Sequence, residues 1–417
     1  MAAPAPNSNT NSNSSLLRAT LTLLGGGALA QALPLLLGPW LTRLYSPAEF
    51  GQYHLFAAVA ANLGVVACAR YEFAIPLAAD GHEAELLRRL CLRILALAVA
   101  LSAVAGLAWS LLSGLLWPLW LPLGVGVLGA VSLATLQATR AQRFAALAGA
   151  RVAQHGGGAL AQVLAGVLQT GAHGLIAAPI AAGAAAWALL RAPSTRPSKP
   201  AATELSAVAR RYREFPWLNT PHAFLGALQD TLTLALIAAF LGAGAAGAWG
   251  LGLRYLKAPA TLVGGAVSQA LYPRLVAAGP GATADSRAVV RRAMGSLALI
   301  AAPLVALLLW LAPDAFAWAF GAPWRDAGEL ARALALYVGV HFVASPLAVV
   351  TMAWQAQAWA LRLALVGQAS FIAALALGLA AGNLVTAGWA VSAATVLYFG
   401  FYFWKLATWP TAAGAGA

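Results

Sequence analysis

The chain has 417 residues, 61% of them hydrophobic and 9% charged, with a formal net charge of +13, whereas a soluble globular chain carries about 25% charged residues. That balance excludes a water-soluble domain and makes lipid the solvent. The basic excess falls in short loops between apolar runs, not on a face with stacking aromatics, so it marks topology and excludes nucleic acid as a partner.

Residues 1–17 open on MAAPAPNSNTNSNS, rich in Asn, Ser, Ala and Pro and without charge, and are predicted to be a disordered tail on the cytoplasmic side. No basic run precedes an A-x-A site before the first apolar stretch, so the expectation is an uncleaved multi-pass protein. A spanning helix needs about 20 mainly apolar residues, and on that criterion about twelve spans are predicted. Six lie in an N-terminal half, residues 18–190. The first, 20–40, holds Gly25, Gly26, Gly27, Pro34 and Pro39, which predict a bend. The second covers 50–69 and the third follows Arg93. The fourth, 117–138, comes after a tight turn at Gly114, and 147–168 and 174–190 complete the half.

Residues 191–215, RAPSTRPSKPAATELSAVARRYREF, form the longest polar stretch and the predicted boundary. Within them Leu205, Val208, Tyr212 and Phe215 recur at helical spacing with Arg210, Arg211 and Arg213 between. Two readings are open: a basic amphipathic helix lying on an anionic leaflet, or a solvated linker. A C-terminal half, residues 216–408, then repeats the plan with spans at 220–241, 245–271, 293–311, 334–352, 361–381 and 385–406, before a tail at 409–417. If the spans alternate, Arg88, Arg89, Arg93, Arg140, Arg143, the linker cations, Arg274, Arg287, Arg291, Arg292 and Lys405 share one side. The other holds little beyond Arg43, Arg325 and Arg332. Both termini are therefore expected to be cytoplasmic.

No enzymatic constellation is present: there is no GxSxG, GxxxxGK[ST], HExxH or CxxC, and the six histidines are scattered. No catalytic residue and no metal site is predicted, and Cys68 and Cys91 read as small packing residues. Asp314 and Asp326 flank an outward loop and read as structural.

What stands out is a set of ionisable groups at or near membrane depth. Arg70 and Glu72 end span two. Arg151 and His155 are four apart on span five, and Asp230 lies inside span seven. Arg254 and Lys257 share a face of span eight, and His341 lies in span ten. An isolated cation near the bilayer centre costs roughly 3 kcal/mol on insertion scales. Arg70 either pairs with Glu72 to fix a helix end or faces a cavity. Arg151 either snorkels or does the same, and the histidines read first as interhelical hydrogen-bonders. Arg254 and Lys257 have Asp230 as their one candidate carboxylate nearby. Cations outnumber carboxylates in this set, and buried positive charge needs an anion. The expected substrate is therefore anionic, with phosphate favoured because Arg recognises it bidentately.

The runs LTRLYSPAEFGQYHLF (41–56), RYEFAIPL (70–77), EFPWLNTP (214–221) and GLRYLKAPATLVGGAVSQALYPR (252–274) resemble the polysaccharide transporter family, the Wzx-type O-antigen flippases of the MOP (multidrug, oligosaccharidyl-lipid, polysaccharide) superfamily, and the likeness covers the chain beyond its N-terminal tail. The resemblance implies an all-α polytopic fold, two six-helix bundles of MATE type around a central cavity. It implies a transporter and not an enzyme, without cofactor, that moves an undecaprenyl-diphosphate-linked oligosaccharide across the bacterial inner membrane by alternating access. A polysaccharide polymerase and a chain-length regulator are the expected protein partners, beside the lipid-linked substrate and membrane lipids. Arg70 and Glu72 fall on the family's RYE motif and Arg254 on its eighth-span motif, which implies a luminal role. With Arg151, His155 and Lys257 they make up the expected substrate cavity, and Asp230 and Glu72 are the candidates for ion coupling. Gln229 and Asp230 stand where the family favours an apolar residue or proline, so Asp230 either titrates or neutralises Arg254. The rivals are a lipid II or multidrug exporter of the same superfamily, and a membrane glycosyltransferase or ligase.

Overall fold

The computed structural model describes residues 30–191, 202–278 and 281–410, and every regular element among them is helical. The expectations placed on residues 1–17, on residues 20–29 of the first span, on Arg196 and Lys199, and on residues 411–417 lie outside those residues.

After a helical stretch over 30–36 come the short α1 (Gly38–Leu44) and the 19-residue α2 (Pro47–Val65). A turn leads into a 3-10 segment, Tyr71–Leu77, followed by α3 (Gly81–Ser113), α4 (Leu121–Arg140), α5 (Phe144–Arg151), a π-helical segment Val152–Gly157, α6 (Gly158–Val167) and α7 (Gly171–Leu190). After the linker come α8 (Ala202–Arg211), α9 (Thr220–Ala277), α10 (Ala284–Phe320), α11 (Arg325–Ala333), α12 (Ala335–Ala353), α13 (Gln357–Ala380) and α14 (Leu384–Ala407). Four starts carry side-chain caps. At α2 the Ser46 Oγ accepts from the Glu49 N–H while the Glu49 carboxylate accepts from the Ser46 N–H. Asp80 accepts from the Glu83 N–H, Thr283 and Ser286 form a capping box, and Asn383 accepts from the Thr386 N–H.

Eight helices among the described residues are long and apolar enough to cross a membrane, which makes this a multi-pass membrane protein. Three further features relate them to the twelve predicted spans. Helix α9 carries the seventh and eighth spans, joined at Gly242, whose φ of 82° suits glycine and breaks the axis. The fifth span is α5, the π-helical segment and α6 in succession, and the second span is the 19-residue α2.

The chain divides into two compact units, one of Met1–Tyr45 with Leu55–Thr231, the other of Ser46–His54 with Leu232–Ala417. The first has a core of Cys68, Tyr71, Ile75, Leu87, Cys91, Leu95, Val125 and Leu133, and Leu205 and Val208 of α8 belong to it. The amphipathic helix of the first reading is α8, and its apolar face is turned to the protein core. Its apolar face is 4% and 7% exposed at Leu205 and Val208, packed on protein. Burying such side chains is worth roughly 1.5–3 kcal/mol each. The Tyr71 hydroxyl donates to the Ala209 carbonyl and Arg211 pairs with Glu83 at 2.9 Å, fixing the register.

In the second unit the Ser46–His54 segment packs directly on α9. A Cβ at Gly247 would collide with the Pro47 carbonyl, and one at Gly51 with the Ala243 carbonyl, so these small residues let the backbones touch. Phe50, 1% exposed, meets Trp324 edge-on with ring centroids 5.0 Å apart.

The loop cations have definite partners. Arg140 donates to the carbonyls of Ile75, Ala78 and Asp80. Arg143 reaches Leu190 and Leu189 at the end of α7, and Arg291 and Arg287 reach Ala407 and Trp409 at the end of α14. Orphan carbonyls at helix C-termini favour cations, so these arginines close helix ends as well as biasing topology. Asp314 pairs with Arg325 at 2.7 Å.

Candidate functional site

In the first unit the site is built on the turn that ends α2. Ala69 (φ 47°) and Arg70 (φ 61°) are both left-handed, a conformation costing roughly 1–2 kcal/mol per non-glycine residue. Such strain persists where the surroundings enforce it and clusters at functional positions. The turn places the half-buried Arg70 guanidinium 4.5 Å from the centroid of the Phe73 ring, a cation–π contact.

Glu72 points the other way, into the core, and is 2% exposed. Around it lie the Arg70 charge and the Ser132 hydroxyl. Its Oε2 has no hydrogen-bond partner among the described residues. Beside it lie the buried free thiols of Cys68 and Cys91. The ligand atoms of all three side chains lie within 4.8 Å of one another. Arg70 and Glu72 therefore face different surroundings, and among the described residues they form no ion pair.

Arg151 ends α5 and His155 lies in the π-helical segment; both are exposed. Asp230 is exposed too and makes no ion pair among the described residues.

In the second unit Arg254 and Lys257 are half-buried, three residues apart on α9. Arg254 lies within electrostatic reach of His54 and Tyr255, and Lys257 within reach of His341. No carboxylate forms an ion pair with Arg254 among the described residues. His54 was not singled out from the sequence. A Cβ at Gly250 would collide with its imidazole ring, and its buried Nε2 has no hydrogen-bond partner among the described residues. The available signal was its place in the 41–56 run, together with glycines on α9 at the spacing of one helical turn.

Residues 86–329, more than half of the chain, match the family described as polysaccharide biosynthesis protein. No curated protein matches. Among solved structures the chain is similar to the inward-facing conformation of a multidrug resistance MATE family transporter of the MOP superfamily, with a TM-score of 0.62 at 12% identity over 90% of this chain and 93% of that one. It is similar also to the lipid II flippase MurJ in an inward closed conformation, TM-score 0.63 at 11% identity over 94% and 90%. A third is the MATE transporter VcmN of Vibrio cholerae, TM-score 0.51 at 16% identity over 96% and 97%. At these identities the likeness establishes the fold, all-α and MATE-like, in agreement with the architecture expected from the sequence. By the match over residues 86–329, the chain belongs to the polysaccharide biosynthesis protein family.

Proposed function

We propose that this protein is a Wzx-type flippase that carries an undecaprenyl-diphosphate-linked oligosaccharide, an O-antigen or other surface polysaccharide repeat unit, across the bacterial cytoplasmic membrane by alternating access. The observation that carries this reading is Arg254: a half-buried cation on a membrane-depth helix with His54 and Tyr255 as neighbours and no ion-paired carboxylate among the described residues. An arginine so placed is stabilised by a transient anion, and a diphosphate matches its donor geometry. The family supplies the polysaccharide context, and a lipid II flippase is known on the same fold.

In this reading Arg70, Arg151, His155, Arg254 and Lys257 are the residues that meet the substrate, with Arg254 and Lys257 the ones that take the diphosphate. Asp230 is the group that exchanges ions during the cycle. Glu72, being buried, serves chiefly to set the Arg70 turn. A ligand shifts such a transporter between its inward and outward states only through differential affinity, here through how the cations converge in each state. Both termini are cytoplasmic, and the polymerase and chain-length regulator act next on the exported unit.

The test is deletion of the gene followed by complementation with Arg254→Ala at matched membrane level. Expected are loss of surface glycan and accumulation of its lipid-linked precursor; normal display by the variant would remove Arg254 from the mechanism. A second reading, lipid II or a drug as cargo, draws on the neighbours' identities. It predicts intact surface glycan in the deletion strain, with a peptidoglycan or drug-sensitivity defect instead.

A further inference from the structure

We propose that Cys68, Glu72 and Cys91 form a binding site for one divalent d10 cation, Zn(II), which clamps the turn that presents Arg70. Three elements supply one donor each. Cys68 comes from the turn after α2, Glu72 from the 3-10 segment and Cys91 from α3. Their Sγ and carboxylate oxygen atoms all lie within 4.8 Å of one another, and all three residues are buried, at 1%, 2% and 0% exposure.

Two observations argue against plain packing. The Glu72 Oε2 is buried without a hydrogen-bond partner among the described residues, although such an atom in a core normally has one. It belongs to the same triangle as two thiols whose own hydrogen bonds are weak. The two sulfurs lie within 4.8 Å of each other, and Cys68 approaches the Gly129 carbonyl at 4.0 Å. A sulfur–metal distance of about 2.3 Å and an oxygen–metal distance of about 2.0–2.2 Å place ligand atoms of a tetrahedral site under 4 Å apart. Small side-chain rotations close the triangle from where it stands.

The chemistry of the donor set selects the metal. Two thiolates and a carboxylate suit Zn(II) and disfavour the oxygen-seeking Mg(II) and Ca(II). Binding releases the two thiol protons, and the carboxyl proton where it is held, to solvent. Three anionic ligands around a dication leave one negative charge, which the nearby Arg70 charge balances. The fourth position falls to the Gly129 carbonyl or a water. The donors bracket Ala69 and Arg70, the two left-handed residues, so a bound ion would hold in place the strained turn that aims Arg70.

The experiment uses the full-length chain in detergent, stripped with a chelator and titrated with Zn(II) alone, then with Co(II) as a spectroscopic probe. Expected are one Zn(II) per chain after gel filtration, a raised melting temperature, and with Co(II) a thiolate charge-transfer band and intense tetrahedral ligand-field absorption. Cys68→Ala and Cys91→Ala should each at least halve the thiolate band, and the double variant should abolish it. Glu72→Gln should keep it and weaken binding at least about tenfold. The wild-type spectrum decides the matter even if a variant fails to fold. No retained zinc, cobalt absorption without the thiolate band, or a Cys68–Cys91 disulfide detected by mass in the purified chain would each overturn the site.

Discussion

The Tyr71 hydroxyl donates to the Ala209 carbonyl across 3.0 Å, tying the residue next to Arg70 to the linker helix α8. Leu205 and Val208 are buried on the same side, so α8 is a lid on the first unit's core. Val208→Asp places a charge there and should release it. Tryptic cleavage after Arg210, Arg211 and Arg213 is expected to speed up about tenfold for each 1.4 kcal/mol of docking energy lost. Tyr71→Phe, which removes one hydrogen bond, should give a smaller acceleration, corresponding to about 1 kcal/mol. Unchanged cleavage in Val208→Asp would show that the apolar face does not hold α8.

Replacing Arg70 separates strain from charge. Glycine removes the left-handed penalty and alanine keeps it, while both remove the contact to Phe73. Arg70→Gly should therefore melt above Arg70→Ala by the equivalent of roughly 1 kcal/mol. Neither should restore surface glycan. Equal melting temperatures would mean that the turn relaxes.

Gly250→Ala drives a methyl group into the His54 ring and should cost about 1–3 kcal/mol, as overpacking does. In a His54→Ala background the same change should cost at least about 1 kcal/mol less, a coupling that a double-mutant cycle reads directly. An identical penalty in both backgrounds would place the collision elsewhere.

Arg140 serves three carbonyls at once. Lysine keeps the charge and the topological bias but cannot span them, so Arg140→Lys should lower thermal stability by about 1–3 kcal/mol without inverting the protein in the membrane. A melting temperature equal to the parent's would reduce this residue to a topology signal.

Hydropathy made most of the fold legible, because a spanning helix must present about 20 apolar residues whatever its neighbours. What it could not give were the interruptions. Gly242 and the π-helical segment at Val152–Gly157 sit inside apolar runs, and nothing in the run length marks them. Leu205 and Val208 announced an apolar face on α8, but the face's partner depends on Tyr71 and Leu86 from far earlier in the chain, and periodicity carries no such information. The same holds for the site. Arg70, Glu72, Arg254 and Lys257 were visible because charge is conspicuous in lipid. Cys68, Cys91 and His54 were not, since a small apolar thiol or a single ring inside a motif looks ordinary until the tertiary fold brings its neighbours.

The assignment of Ser46–His54 to the second unit bears on biogenesis. These residues leave the ribosome early, yet the surfaces they complete, around Gly247 and Trp324, are synthesised long afterwards. Contacts so distant in sequence form late, and the early segment stays unengaged until the chain has been made past Trp324. Chains truncated before Trp324 should therefore be targets for membrane quality control, even though the earlier spans are already inserted.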